Sequence, residues 1–171
     1  MPNPVFEVVR TVLAVREYQD KPVPDELMLR VVEAARLTAG AANRQAWHFI
    51  LVRKREELRE LGALVEHGPY IATAAAAVVV AYDKSWPFGV SDASRAIQSM
   101  VLTAWGEGVG SNWAGWVGME SVRKHVGLPT SYDVLAVVPF GYPKRALGKG
   151  RKRRKPLAEV ASAERFGMPL S

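Results

Sequence analysis

Apolar residues recur at helical or strand spacing along most of the chain, and this pattern predicts a mixture of helices and strands. A period close to 3.6 residues predicts helices over 4–13, 25–38, 54–65 and 92–106, and a short helix within 118–129 that ends at Gly127. Short runs rich in valine, isoleucine and aromatic residues predict strands over 47–52, 78–82 and 133–143. Because helices and strands do not alternate strictly, the pattern favours an α+β fold over a doubly wound one.

The alanine-rich stretch 72–83 combines both patterns. Alanine favours helix, so we expect the stretch to begin as a helix. Three consecutive valines then favour a strand from Val78 to Tyr82, because β-branched side chains are restricted in helices.

The predicted helix 92–106 is apolar around much of its circumference. Ser91 or Asp92 would cap its N-terminus, and a glycine would end it. A helix of this kind is buried on most sides, either in the core of one subunit or at a dimer interface.

Beyond Pro143 the periodic pattern fails. Residues 144–171 comprise a basic loop, a predicted short helix over 157–167 and a tail, which together form little core of their own. We therefore expect a single domain, 1–171, in which the C-terminal extension 144–171 packs on a partner subunit.

Composition excludes several classes of site. The 171 residues include no cysteine, which excludes disulfides, thiolate metal sites and cysteine nucleophiles, and the three histidines lie in separate segments. We therefore predict no metal centre. The chain has neither a membrane-length apolar run nor a signal-like start, so we expect a cytoplasmic protein that does not bind membranes.

The positive charge is concentrated near the C-terminus. The net charge is +6, and "PKRALGK" (143–149) and "RKRRK" (151–155) carry more positive charge than that, so the rest of the chain is slightly acidic. A basic run of this kind indicates a solvated loop, an anion site or a nucleic-acid surface. It lacks interleaved aromatic residues that could stack bases, and it would suit a phosphate monoester.

The glycine-rich stretch "GEGVGSNW" (106–113) follows a helix rather than a strand. It therefore does not fit the dinucleotide fingerprint, in which glycines lead from a strand into a helix N-terminus. The end of a helix explains Gly106 and Gly108. It does not explain Trp113 and Gly115, which place an aromatic side chain next to a residue that has no side chain.

Asn43 and Gln45 stand at the entry to the first predicted strand, where unpaired amides are costly. Arg16, which alone would be interpreted as an exposed or ion-paired arginine, follows the first helix. With the glycine-rich stretch and the late basic run, these residues suit a flat, hydrogen-bonding ligand that ends in a phosphate, such as FMN.

In this order, the stretches resemble the nitroreductase family of FMN-dependent oxidoreductases. The resemblance covers nearly the whole chain and rests on "REYQDKPVP", "NRQAWHFILV", "GVGSNWAG", "GYP" and "KRRKPLAEV". It implies a nitroreductase-like fold, with a mostly antiparallel central sheet flanked by helices, in an intertwined homodimer whose two flavins lie at the subunit interface.

The resemblance also implies roles for individual residues. Arg16 would reach the pyrimidine edge of the flavin ring, and Asn43 and Gln45 would serve the ring and ribityl region. Gly40 would be a cofactor-binding position that offers only its backbone. The backbone N–H groups of Ala114 and Gly115 would lie beside the reactive nitrogen, and Lys152 and Arg154 would hold the phosphate. Trp86, Phe88 and Trp113 are candidates to line the acceptor pocket.

The implied activity is transfer of electrons from NAD(P)H, through FMN, to nitroaromatic, quinone or similar acceptors by a ping-pong mechanism, with no catalytic side chain. The chain departs from the family at the Arg-Arg-Ser positions, here Val12, Leu13 and Ala14, at a serine replaced by Gly40, and at a proline replaced by Ala46. These departures leave open a deazaflavin-dependent reductase or a binding module with a lapsed flavin site. A nucleic-acid-binding protein is a further alternative, although we expect no nucleic-acid partner.

Overall fold

The computed structural model describes residues 3–115, 119–147 and 152–170, and its centre is a four-stranded sheet. The strands are β1 (Trp47–Val52), β2 (Ala76–Asp83), β3 (Gly110–Ser111) and β4 (Tyr132–Gly141). They pair in the order β1-β2-β4-β3, and every pair is antiparallel. This arrangement confirms the predicted α+β class and the mostly antiparallel sheet.

Helices cover both faces of this sheet. They are α1 (Pro4–Thr11), α2 (Asp25–Arg36), α3 (Arg55–Leu64), α4 (Gly89–Gly106) and α5 (Met119–His125). Helices α2 and α4 pack on the face that includes Val78 and Val80, whereas α3 and α5 pack on the face that includes Val79. Because side chains alternate across a strand, β2 contributes to both layers of the core.

Two predicted helical segments are wrong, for different reasons. Strand β2 begins at Ala76 rather than at Val78, and only a 3-10 turn, Pro69–Thr73, precedes it. Ala76 and Ala77 are buried between the helical layers, so the packing of small side chains outweighs their helix propensity. At the C-terminus, the helix expected over 157–167 is reduced to a 3-10 turn, Leu157–Glu159, since none of these residues is buried by this chain.

Helix α4 begins earlier than the sequence indicates. It starts at Gly89, and its N-cap residue Phe88 makes no side-chain capping hydrogen bond. Asp92, one of the two predicted caps, lies inside the first turn and is buried. Asp92 therefore does not cap the helix, and its carboxylate bonds to Ala41 and Trp86 instead.

A pair of glycines lets the N-terminal segment cross the edge of the sheet. Gly110 of β3 and Gly141 of β4 are directly paired across the strands. A Cβ atom on Gly110 would overlap the Val15 side chain, and one on Gly141 would lie 2.7 Å from the Tyr18 ring. The segment also bonds to this edge through the Val15 N–H and the Ser111 carbonyl, at 2.8 Å. The missing side chains thus make room for residues 15–18.

Helix α1 and the C-terminal segment leave apolar side chains uncovered. Helix α1 contains no buried residue, and Phe6 is 61% exposed. Exposed apolar residues of the C-terminal segment include Leu157, Val160, Phe166 and Met168. Among the described residues, no helix is long and apolar enough to cross a membrane.

Candidate functional site

A cavity of about 470 Å³ lies between the end of α1, the middle of α4 and the loop after β3, and we call it the cationic cavity. Its lining is Val9, Val12, Leu13, Ala14, Ile97, Gln98, Val101, Ser111, Asn112, Trp113, Lys152 and Arg154. The volume falls in the range typical of small-molecule sites. None of these lining residues is acidic, so the two cations give the cavity a positive potential.

Lys152 and Arg154 reach this cavity from the C-terminal segment. The Lys152 ammonium donates a hydrogen bond to the Val9 carbonyl at 2.6 Å, which ties the segment to α1. Partial burial lowers the pKa of Lys152, and the neighbouring Arg154 guanidinium lowers it further. Arg154 is exposed and donates to the Arg153 carbonyl. Arg151, the first residue of the basic run, lies outside the described residues.

An apolar wall faces the two cations. Val12, Leu13 and Ala14 form part of it, so the three positions that depart from Arg-Arg-Ser all line the cavity. The sequence therefore has hydrocarbon in place of polar donors at this wall. Among the described residues, Lys152 and Arg154 are the cations that line the cavity.

The loop after β3 supplies backbone and an aromatic side chain to the cavity. The Asn112 side-chain amide donates to the Tyr70 hydroxyl and to the Trp113 carbonyl, which fixes the turn. Trp113 is 37% exposed beside the cavity. Arg16 lies close to this loop, with its guanidinium carbon 5.9 Å from the centre of the Tyr70 ring.

The backbone N–H of Ala114 does not have the role expected from the sequence. Its N–H donates to the Val137 carbonyl at 3.0 Å, and the Val137 N–H donates back to the Ala114 carbonyl at 2.7 Å. This N–H is therefore engaged within the fold, and the prediction that it donates to a ligand is corrected. Gly115 has a φ of +136°, and its N–H donates to no described residue.

The loop 40–45, which we call the amide loop, adopts a strained backbone. Ala42, Asn43 and Gln45 have φ values of +49°, +50° and +54°, in the left-handed region that costs non-glycine residues free energy. The Asn43 and Gln45 side chains are exposed, and the Gln45 amide makes a long 3.4 Å bond to the Asn43 carbonyl. Strain of this kind persists where the surrounding structure fixes the backbone.

Asp92 anchors the amide loop from beneath. Both of its carboxylate oxygens lie 3.1 Å from the Ala41 nitrogen, and one also accepts from the Trp86 indole at 3.1 Å. A Cβ atom on Gly40 would lie 3.2 Å from this carboxylate and 3.1 Å from the Trp47 ring, which explains the absence of a side chain at residue 40.

The predicted site residues fall into two groups in space. Lys152 and Arg154 share the cationic cavity with the loop after β3, and Ala14 lines both this cavity and a smaller one beside Arg16. The amide loop, with Gly40, Asn43 and Gln45, does not line the cationic cavity. One chain therefore does not bring all the predicted residues together.

Sequence reasoning missed two contributors to these groups. Asp92 was interpreted as a helix cap, and no signal in the sequence indicates that its carboxylate bonds to Ala41 and Trp86. Tyr70, which contacts Arg16 and Asn112, has no signal in the sequence that distinguishes it from an ordinary loop tyrosine.

Comparisons with known proteins agree with this architecture. The family model described as "Nitroreductase family" matches residues 10–85 and 67–142. A protein from Archaeoglobus fulgidus, named "Putative NADH dehydrogenase/NAD(P)H nitroreductase", is 35% identical over 148 residues, which cover 81% of this chain and 85% of that protein.

Solved structures show the same fold. A crystal structure from Parabacteroides distasonis, of a protein with the same name, matches with a TM-score of 0.89 and 26% identity over 96% of this chain and all of that one. A second, from Desulfovibrio desulfuricans, is of a "putative nitroreductase in complex with FMN". It matches with a TM-score of 0.84 and 26% identity, over 97% of this chain and 99% of that one.

Proposed function

The chain belongs to the nitroreductase family, and on that premise we propose that it is an FMN-dependent oxidoreductase. When bound, FMN would supply a two-electron carrier between NAD(P)H and a flat acceptor, such as a nitroaromatic or a quinone, in a ping-pong scheme. The observation that carries the proposal is the cationic cavity, which combines two cations with an apolar wall and an aromatic side chain.

The chemistry of the cavity fits the phosphate end of this cofactor. Lys152 and Arg154 offer charge-assisted hydrogen bonds to a phosphate dianion, and none of the described residues that line the cavity is acidic. The lowered pKa of Lys152 follows mainly from burial, a cost that a bound anion would offset. Val12, Leu13 and Ala14 would contribute contact surface but no hydrogen-bond donor side chain.

The ring end would meet polar groups on the other side of the loop after β3. Arg16 would place positive charge at the pyrimidine edge, where it stabilises negative charge. The Gly115 N–H, which donates to no described residue, would be a backbone donor there, since the Ala114 N–H already donates to Val137. Ala114 would then act as a wall of the pocket. No side chain is required as a nucleophile or a general base.

Asn43 and Gln45 would reach the ring from a second subunit. Within one chain the amide loop does not line the cationic cavity, although both groups suit the same ligand. A two-fold dimer would place each amide loop at the partner's cavity, and the exposed apolar residues of α1 and of the C-terminal segment would provide the contact. In this arrangement the segment 144–171 packs on the partner.

The test removes the two cations and compares two flavins. Changing Lys152 and Arg154 together to Ala should weaken FMN binding by about two orders of magnitude, because two charge-assisted contacts are lost. Lumiflavin, which has the same ring without the phosphate, should bind the variant and the original protein equally. Fluorescence titration of flavin-free protein measures both affinities.

A matched control uses the neighbouring cations. Arg153 and Lys155 are exposed in the same segment and do not line the cavity, so changing both to Ala should leave both affinities close to those of the original protein. Equal losses for FMN and lumiflavin would contradict the assignment of Lys152 and Arg154. An original protein that binds no FMN would contradict the function itself and favour a lapsed site, which the apolar wall at residues 12–14 makes the second candidate.

A further inference from the structure

Asp92 is the one acidic side chain among the buried residues that the structure describes, with 1% of its surface exposed. Burying a carboxylate is costly unless hydrogen bonds and opposite charge compensate. Its partners are the Ala41 N–H, the Trp86 indole N–H and, at 3.9 Å, the Arg95 guanidinium. None of these three partner residues belongs to the hydrophobic core on either face of the sheet. The carboxylate therefore links the loop segments that surround it.

Those partners belong to two segments: the amide loop, and the segment of Trp86 and Phe88, which the resemblance makes a candidate lining of the acceptor pocket. Ala41 begins the amide loop, which presents Asn43 and Gln45. Trp86 precedes α4 and contacts Phe88 edge to face, with ring centres 5.4 Å apart. A single carboxylate oxygen accepts from both Ala41 and Trp86, so it joins the amide loop to this aromatic segment.

The backbone of the amide loop explains why an anchor is needed. Three of the four residues 42–45 have positive φ values, and none of the three is glycine. Without a fixed point such a loop would relax towards unstrained conformations. Gly40 packs against the same carboxylate, so the anchor holds the loop at its start.

We propose that Asp92 is a positioning residue that holds the amide loop in the conformation in which Asn43 and Gln45 meet the flavin ring. This inference rests on the proposed function. It adds that the affinity for the flavin ring depends on the Asp92 carboxylate, which contacts neither the ring nor the phosphate, whereas the affinity for the phosphate does not depend on it. Its signature is therefore a loss that FMN and lumiflavin share.

The experiment compares Asp92→Ala and Asp92→Asn with the original protein. In flavin-free protein, hydrogen–deuterium exchange of the peptide that covers residues 40–46 should accelerate in Asp92→Ala. FMN and lumiflavin should each bind about tenfold more weakly, by the same factor, as expected for loss of one hydrogen-bonded anchor. Asp92→Asn keeps an oxygen that can accept from both Ala41 and Trp86, so it should recover most of the affinity.

A control separates positioning from general loss of stability. Val122→Ala opens a cavity in the core beneath α5, away from the amide loop, and should lower the unfolding temperature without changing exchange at residues 40–46 or either affinity. If Asp92→Ala does not fold, Gly40→Ala disturbs the same contact from the side of the loop, because its Cβ would crowd the carboxylate. It should weaken both flavins in parallel.

Two results would overturn the inference. One is an Asp92→Ala or a Gly40→Ala protein that folds and binds both flavins like the original protein. The other is a loss for FMN alone, which would place the effect at the phosphate. Failure of the original protein to bind FMN would instead count against the proposed function, so the two ideas are tested separately.

Discussion

The middle of the sheet and the two ends of the chain differ in how far their apolar residues are buried. In β2 every residue from Ala76 to Ala81 is buried by helices of the same chain. In α1, which is amphipathic, no residue is buried, and Phe166 near the C-terminus is fully exposed. The core is thus complete within one chain, whereas both ends have apolar surface that a second molecule could cover.

The largest effect should come from placing a charge on the uncovered face of α1. Phe6→Glu removes an apolar contact from both subunits of the proposed dimer and adds two carboxylates, so its dissociation constant should rise at least a hundredfold. Analytical ultracentrifugation measures the change. The circular dichroism spectrum should stay that of the folded protein.

The control places the same kind of charge in the middle of the sheet. Val79 is fully buried, so Val79→Asp should prevent folding rather than association. A Phe6→Glu protein that remains dimeric, or an original protein that is monomeric, would remove the role proposed for α1.

Mixed dimers test whether the two regions cooperate across an interface. One chain carries Lys152→Ala with Arg154→Ala, and the other carries Asn43→Ala with Gln45→Ala. If each site combines the cations of one subunit with the amide loop of the other, a purified mixed dimer has one intact site. It should bind one FMN with the original affinity, whereas both parental dimers bind FMN weakly.

The alternative arrangement gives a different stoichiometry. If a single chain supplies both groups, every site in the mixed dimer carries one defect and no tight site returns. Titration of dimers purified through two different tags distinguishes the outcomes.

The smallest effect should come from an ion pair within the self-contained region. Two hydrogen bonds from the Arg123 guanidinium, at 2.7 and 2.8 Å, lower the pKa of Glu120 to about 2. Because the pKa is lower in the folded state, the stabilisation is present above the ordinary carboxyl pKa and is lost as pH falls towards 2. Glu120→Gln should therefore lower the urea midpoint slightly at pH 7, and by less at pH 3.

That effect should be small because the Glu120 side chain is 57% exposed and solvent screens the pair. Urea unfolding at the two pH values measures it. A larger difference at pH 3 than at pH 7 would contradict the assignment.

The regions that sequence predicted well are those in which local pattern and packing agree. Strand β1 and helix α2 lie where the sequence pattern places them. Helix α2 buries one apolar stripe, and β1 packs apolar side chains against both layers of the core. Strand β2 begins two residues early because burial on both faces selects small side chains, and no propensity scale contains that information. The 157–167 segment has helical composition, but this chain gives it little to pack against.

The residues of the candidate site likewise divide into those that the sequence predicted and those that it could not predict. The resemblance to the family singled out Lys152 and Arg154 within the basic run, and the structure brings both to one cavity. The anchoring by Asp92 could not be predicted, because residues 41, 86 and 92 meet only in the folded chain. The engagement of the Ala114 N–H likewise depends on a partner, Val137, from a distant strand.

The facing glycines of β3 and β4 have a further consequence, for solubility. A short outer strand with free N–H and C=O groups invites other chains to add to the sheet, which is a route to fibrous aggregates. Here residues 15–18 lie across that border, and Ala14 pairs with Ser111 in parallel. A bulkier residue at 110 or 141 would displace residues 15–18 from the edge of the sheet. We therefore expect such variants to precipitate through strand addition even where their interior remains intact.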